Sequence, residues 1–303
     1  MTGGGAQRRG LRGRLHLDGF KLFWAAPLLG WQAAFFLAAL VFLVLMSFWI
    51  VQDFRLTRTY TVANWTELLW SGLFHQVYVR TFVYALVAAA AATVLAFPFA
   101  YALAFKVSPG ARRLAIMLLI TPFFTSYVVR SYSWQLILAE DGIINRALGE
   151  IGVGPIGMLG TPFATGIGYL TLFFPLVTLL ILLSLVNVER DLVEAANNLG
   201  AGRIRSVFSV VIPSAKIGIV FAFSFAFILA FGDFIAPTLL GSSNDVTLSI
   251  LLNSKIKSGA DFPEAATVAL VMVVTLVVAV FAAFRAAFPP QKEARAAPQE
   301  ALG

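Results

Sequence analysis

Six apolar stretches, at about Phe23–Val51, Val77–Phe105, Leu114–Leu138, Pro162–Asn187, Ser214–Leu240 and Ala265–Ala287, restrict this chain more than any other feature. A helix rises about 1.5 Å per residue, so each stretch is long enough to cross a hydrocarbon layer of about 30 Å, some with tilt. A soluble protein with large cores needs amphipathic alternation, which these runs lack. Composition agrees: 59% of residues are hydrophobic and 12% charged, where soluble domains carry roughly 45–50% and about 25%. The expected class is an all-α membrane protein with six transmembrane helices and both termini on one side.

Lys and Arg set the orientation. Arg8, Arg9, Arg12, Arg14 and Lys21 precede the first run; Lys106, Arg112 and Arg113 fill the second connection; Arg190, Arg203, Arg205 and Lys216 mark the fourth; Arg285, Lys292 and Arg295 close the chain. The intervening connections carry only Arg55 and Arg58, then Arg146, then Lys255 and Lys257. The positive-inside rule therefore puts both termini in the cytoplasm, and the net charge of +7 reports topology rather than nucleic-acid binding. The first run is roughly twice the length of a signal-peptide core of about 7–15 residues and lacks a small-residue cleavage site, so it reads as a retained span. Trp24, Trp49, Trp65, Trp70 and Trp134 suit an interfacial aromatic belt.

Several chemistries are excluded. There is no cysteine, and His16 and His75 stand far apart without a ligand partner at metal-binding spacing. No G-x-x-x-x-G-K-[ST], G-x-S-x-G or H-E-x-x-H occurs, and the glycines of IGVGPIGMLGTP lack the strand-to-helix context of a dinucleotide site. No connection is long enough for an attached soluble domain, so any energy-supplying or recognition module belongs to another chain.

The fourth connection, VERDLVEAANNLGAGRIRSVFSVVIP, stands out because it is polar and contains glycines. Leu192, Ala195, Ala196 and Leu199 fall on one face of a short helix. Gly200 and Gly202 supply left-handed caps, a second short helix covers about Arg203–Val211, and Pro213 restarts the chain as the fifth span. A helix–turn–helix at the membrane surface, with small alanines, suits close approach by a partner.

The spacing Glu194-Ala195-Ala196, three residues, Gly200, nine residues, Val210-Val211-Ile212-Pro213 resembles the EAA motif, E-A-A-x3-G-x9-I-x-L-P, of ABC importer permeases. Val210 and Ile212 depart from the pattern but keep its apolar bulk. TPFFTSYVVRSYSWQLIL, EDGIINRALGEIG and GDFIAPTLLGSS are similar to signatures of permeases that import spermidine and putrescine, and permeases for iron, phosphonates and other small solutes are similar too.

The resemblance implies a type I permease fold, with a five-helix core and a peripheral first helix. It divides the chain into a basic segment 1–22, a first helix and external loop 23–75, a core 76–287 containing the coupling loop 188–213, and a tail 288–303. It also implies a bacterial inner-membrane location and no catalytic residue. Glu194, Ala195, Ala196, Leu199, Gly200, Ile212 and Pro213 would contact a separate ATPase holding ATP and Mg. The other partners would be an external solute-binding protein, a second permease subunit and membrane lipid. A secondary transporter is the rival class, but no internal repeat is visible.

Charges inside the apolar runs mark a candidate solute path. Asp233 lies twenty residues after Pro213, which carries it about 30 Å along a helix to the external end of the fifth span. A carboxylate at the bilayer centre costs on the order of 2.5–3.5 kcal/mol and less near the interface. Asp233 either lines a mouth that attracts a cationic amine, or pairs with Arg130, or caps a break before Pro237. Arg130 would repel a cationic solute and suits a structural or docking role. Tyr127, Tyr132 and Trp134 offer either cation–π faces or interfacial anchors.

Overall fold

The computed structural model describes residues 19–52, 55–57, 59–242, 245–259 and 261–288. Arg8, Arg9, Arg12, Arg14, His16, Arg58, Lys292 and Arg295 lie outside the described residues. The chain divides into two units, Met1–Met46 and Ser47–Gly303. In the first, α1 (Gly19–Gln32) widens through a π-helical turn at Ala33–Leu37 into α2 (Ala38–Ser47). Trp24, Leu28, Trp31, Phe35 and Phe36 are exposed there, as side chains that meet lipid should be.

The second unit opens with a hairpin of β1 (Ile50–Gln52) and β2 (Arg55–Thr57), with Ile50 opposite Thr57. The first apolar run therefore leaves the helix at Ser47 rather than continuing to Val51. Asn64 at the start of α3 (Ala63–Trp70) pins that exit, its Nδ2 donating to the Ser47 and Trp49 carbonyls at 2.9 and 2.8 Å.

α4 (Gly72–Phe105) follows, then α5 (Pro109–Ile120), α6 (Tyr127–Leu138), α7 (Ile143–Glu150) and α8 (Pro162–Val186). The fourth connection holds α9 (Arg190–Asn198), α10 (Arg203–Ser206) and α11 (Ile212–Ser214). After it come α12 (Lys216–Gly232), α13 (Ile235–Leu240), α14 (Leu248–Gly259) and α15 (Phe262–Ala287). Local chemistry starts several of these helices. Ser108 and Thr161 accept the Ala111 and Ala164 N–H groups, each just before a proline in the first turn, and Asp261 caps Glu264 in the same way. Arg112 closes α4 by donating to the Leu103 and Ala104 carbonyls at 2.6 and 2.7 Å.

The core lies where α4, α8 and α12 pack together. α4 turns Ala85, Ala89, Ala92, Ala96, Ala100 and Ala104 inward at three- and four-residue spacing, and α12 answers with Ala222, Ala226 and Ala230. Phe173, Val177, Ile181 and Leu185 of α8 fill the space between them. Lipid tails compete equally for apolar surface, so spans associate by close backbone approach, and small residues permit it. Gly218 is the tightest case, since a Cβ there would collide with the Ser184 side chain.

Among the described residues, four helices are long and apolar enough to cross a membrane, or six if each bent pair is one span. The bends correct the straight third and fifth spans expected from hydropathy. The third turns by 94° between Pro109–Phe124 and Tyr127–Glu150, because Pro122 has no N–H and Thr125 and Ser126 are extended. Ile204–Ser214 meets Lys216–Gly232 at 76°, so the fifth span begins at Lys216 rather than at Pro213, which lies inside α11. That span breaks again at Asp233, whose ψ of 132° leaves the helix before α13. α14, in a stretch read as connection, packs against α15, where Lys255 and Glu264 pair at 2.7 Å.

Candidate functional site

Two interruptions carry the candidate residues. In the 188–213 loop, α9 ends in a Schellman-type cap. The Ala201 N–H bonds the Ala196 carbonyl at 3.0 Å across Gly200, whose φ is +85°. Only glycine adopts that backbone without steric cost. Gly202, expected to share the role, instead starts the next helix through its carbonyl bond to the Ser206 N–H, and its φ is not positive.

The loop is anchored on one side and open on the other. Val188, Ser206 and Val211 are buried, and Val193 packs against the core. Leu192, Glu194, Ala195 and Leu199 face outward, Leu199 with 89% of its surface free. Ala196 is half-buried, so the apolar face is rotated toward Leu192, Ala195 and Leu199. Ile212 is half-buried and Pro213 exposed. Ile204 and Phe208, at i and i+4 on the second helical segment, are exposed at 76% and 67% and extend the apolar surface. The EAA spacing does not include them, although their i, i+4 relation is visible in the sequence.

The second interruption surrounds Asp233. Its Oδ2 accepts the Tyr127 hydroxyl at 2.7 Å and the Ala236 N–H at 3.2 Å, and Oδ1 accepts the Ile235 N–H at 3.0 Å. Of the three readings open from sequence, the capping geometry is present, and Arg130 is turned elsewhere. Its guanidinium donates to the carbonyls of Pro122 at 3.0 Å, Thr125 at 3.5 Å and Thr171 at 3.3 Å. Arg130 thus adds charged donors where the third span breaks, beside the Thr125 N–H and hydroxyl that also reach the Pro122 carbonyl, and ties the break to α8. Its Cζ lies 6.0 Å from the centre of the Tyr127 ring. Trp134, two turns along α6, packs with Leu138, Ala164 and Leu240, and Tyr132 is exposed. The site therefore unites Tyr127, Arg130 and Asp233 and leaves Trp134 in a separate cluster.

Residues 20–292 match the family described as binding-protein-dependent transport system inner membrane component. The chain belongs to that family. Among the relatives of this permease is the spermidine/putrescine transport system permease protein PotB of Escherichia coli (strain K12). It is 27% identical over 252 residues, covering 82% of this chain and 91% of the relative. The inner membrane ABC transporter permease protein YdcU of the same strain is 29% identical over 244 residues, covering 72% and 78%.

A chain of a bacterial ABC transporter involved in the import of the acidic polysaccharide alginate superposes with TM-score 0.70 at 18% identity, covering 91% of this chain and 97% of that one. A chain from an alginate transporter in complex with its periplasmic protein gives TM-score 0.71 at 17% identity, covering 88% and 93%. The fold is that of ABC transporter permeases, and the protein is a multi-pass inner-membrane transport permease subunit.

Proposed function

We propose that this permease imports a small organic cation of the polyamine class, powered by a separate ATPase chain that holds ATP and Mg. The observation that carries the coupling is the apolar face of α9, exposed at Leu192, Ala195 and Leu199, closed by the Gly200 cap and anchored by buried Val188 and Val211. A rigidly based, outward apolar helix face suits a groove on a partner. The likeness of Glu194–Pro213 to the EAA loop makes that partner the ATPase.

In this reading the loop and both termini are cytoplasmic, as the distribution of Lys and Arg favours. Solute arrives at the Asp233 end from an external binding protein. A second permease subunit, related or identical, completes the pathway, and the divisions 1–22, 23–75, 76–287 and 288–303 follow that plan.

The polyamine class is supported by the transport named for the PotB relative and by Asp233, a half-buried carboxylate that attracts ammonium groups. Tyr127 adds an aromatic face suited to a cation. Trp134 would border the path from its own cluster. Arg130 directs its charge to carbonyls and serves the bend of the third span.

Co-purification from detergent tests the coupling. The ATPase should accompany the permease, and Gly200→Arg should separate ATP hydrolysis from uptake. Absence of an ATPase, or normal coupling in the variant, removes this reading. A thermal-shift panel on the partner binding protein tests the solute class, since a ligand at 100 times its Kd stabilises by about 2.7 kcal/mol. A shift with neutral or anionic solutes and none with polyamines would redirect the assignment.

A further inference from the structure

The two bent spans meet at one hydrogen bond. Tyr127 begins α6, the second limb of the third span, and Asp233 sits at the break between α12 and α13 in the fifth. A carboxylate offers about four lone-pair sites. Three are filled here: one by the Tyr127 hydroxyl and two by the Ile235 and Ala236 N–H groups. The two backbone donors belong to α13 and move with Asp233. Tyr127 alone of the three reaches over from another span, 106 positions away.

Among the described residues Asp233 forms no ion pair, since Arg130 spreads its protons over the Pro122, Thr125 and Thr171 carbonyls. The carboxylate is therefore solvated by dipoles alone. Its charge is uncompensated, and its most easily exchanged donor is also the tie between the spans.

We infer that the Tyr127 hydroxyl is a specificity-determining latch: it holds the Asp233 Oδ2, and an ammonium cargo that engages both carboxylate oxygens with its several N–H donors displaces it there and so parts the third and fifth spans. The inference rests on the polyamine reading above. An ammonium brings three N–H donors and a full charge, whereas the phenol brings one donor and no charge. The exchange therefore favours a cationic amine. A neutral solute offers no charge for the exchange and leaves the contact closed. Arg130 is a positioning residue in this scheme, because it holds the bend that aims Tyr127 at α13.

The test uses the assembled transporter with spin labels at Ser133→Cys in α6 and Thr238→Cys in α13. Both positions are exposed, on helices that pack together, in a chain without native cysteine. Pulsed distance measurements are made against putrescine, with glycerol as the neutral control. The unmodified site should show one distance, with a second population rising as putrescine, but not glycerol, is added.

Tyr127→Phe keeps the ring and removes the donor. Its second population should be present without amine, and its half-saturating putrescine concentration should fall about tenfold, the scale of one charge-assisted hydrogen bond. Maximal uptake should fall at the same time, because nothing displaces the bound amine. Asp233→Asn should need about tenfold more putrescine to reach the second population, a second reading that holds even if Tyr127→Phe folds poorly. Tyr127→Phe matching the unmodified site in both distance and half-saturation, or Asp233→Asn opening normally, overturns the latch. If Asp233→Asn also leaves uptake unchanged, the polyamine site itself is wrong. If it lowers uptake while Tyr127→Phe behaves normally, the latch alone fails.

Discussion

The loop at 188–213 and the break at Asp233 are both interruptions of apolar helix, built by opposite means. The loop closes on itself: its cap joins Ala201 to Ala196 across Gly200, and its apolar face is left open. The break is capped locally by the Ile235 and Ala236 N–H groups but is also tied to another span through Tyr127 on Asp233. Arg130 ties that span's own bend to the Thr171 carbonyl, and the polar groups of the break are half-buried. A locally closed element can be pushed as a unit by something docking on it. An element tied to other spans changes shape when those spans move, which suits a gate.

Gly200→Arg should have the largest effect and separates the two regions most sharply. No atom lies within 4 Å of a Cβ at this position, so the cost to folding is the left-handed backbone alone, about 1 kcal/mol. A guanidinium beside the exposed Leu199 face should nonetheless cut uptake roughly hundredfold, the scale of losing one central interface contact, while ATP hydrolysis continues. Uptake assays beside phosphate release check this. A variant that transports normally means the face docks nothing.

Arg130→Met acts on the other region. Three carbonyls lose a charged donor, so thermal unfolding in detergent should show a loss of about 2 kcal/mol, within the usual range for hydrogen bonds to charged groups. The buried Nε has no acceptor, and its removal offsets part of that loss. If stability is unchanged, the bend of the third span is held by packing and not by the carbonyl clamp.

These contrasts explain what could be read in advance. The apolar runs, the six-span plan and the α9 face follow from periodicity and charge, which act over a few residues. The breaks do not. Pro98 and Pro175 lie inside unbroken α4 and α8, whereas Pro122 lies at a 94° bend, so proline alone does not distinguish them. Neighbouring helices can satisfy the backbone groups that a proline frees. What sets Pro122 apart is the extended pair Thr125 and Ser126 and the reach of Arg130 to α8, a contact 41 positions long. Tyr127 and Asp233 were candidates by residue type, but their hydrogen bond depends on both bends and has no local signature.

Asp233→Asn should be milder than either change so far. The amide oxygen still accepts from Tyr127 and the α13 backbone, so assembly and thermal stability should hold. Uptake at limiting solute should fall about tenfold, as expected for one charge-assisted contact. Unchanged uptake would make the break purely structural, and the region would lose its contrast with the loop.

The smallest effect is expected at Lys255→Ala, near the same end of the bundle as the break. Lys255 and Glu264 join α14 to α15 at 2.7 Å, but their side chains keep 34% and 22% of their surface free. Water and salt screen such a pair, so unfolding should shift by less than about 1 kcal/mol, and by less still at high ionic strength. Arg130 and Lys255 are both cations bound to oxygen, and burial separates them. A Lys255→Ala loss as large as that of Arg130→Met would mean that partly exposed charge pairs, rather than the carbonyl clamp inside the bend, hold this end of the molecule together.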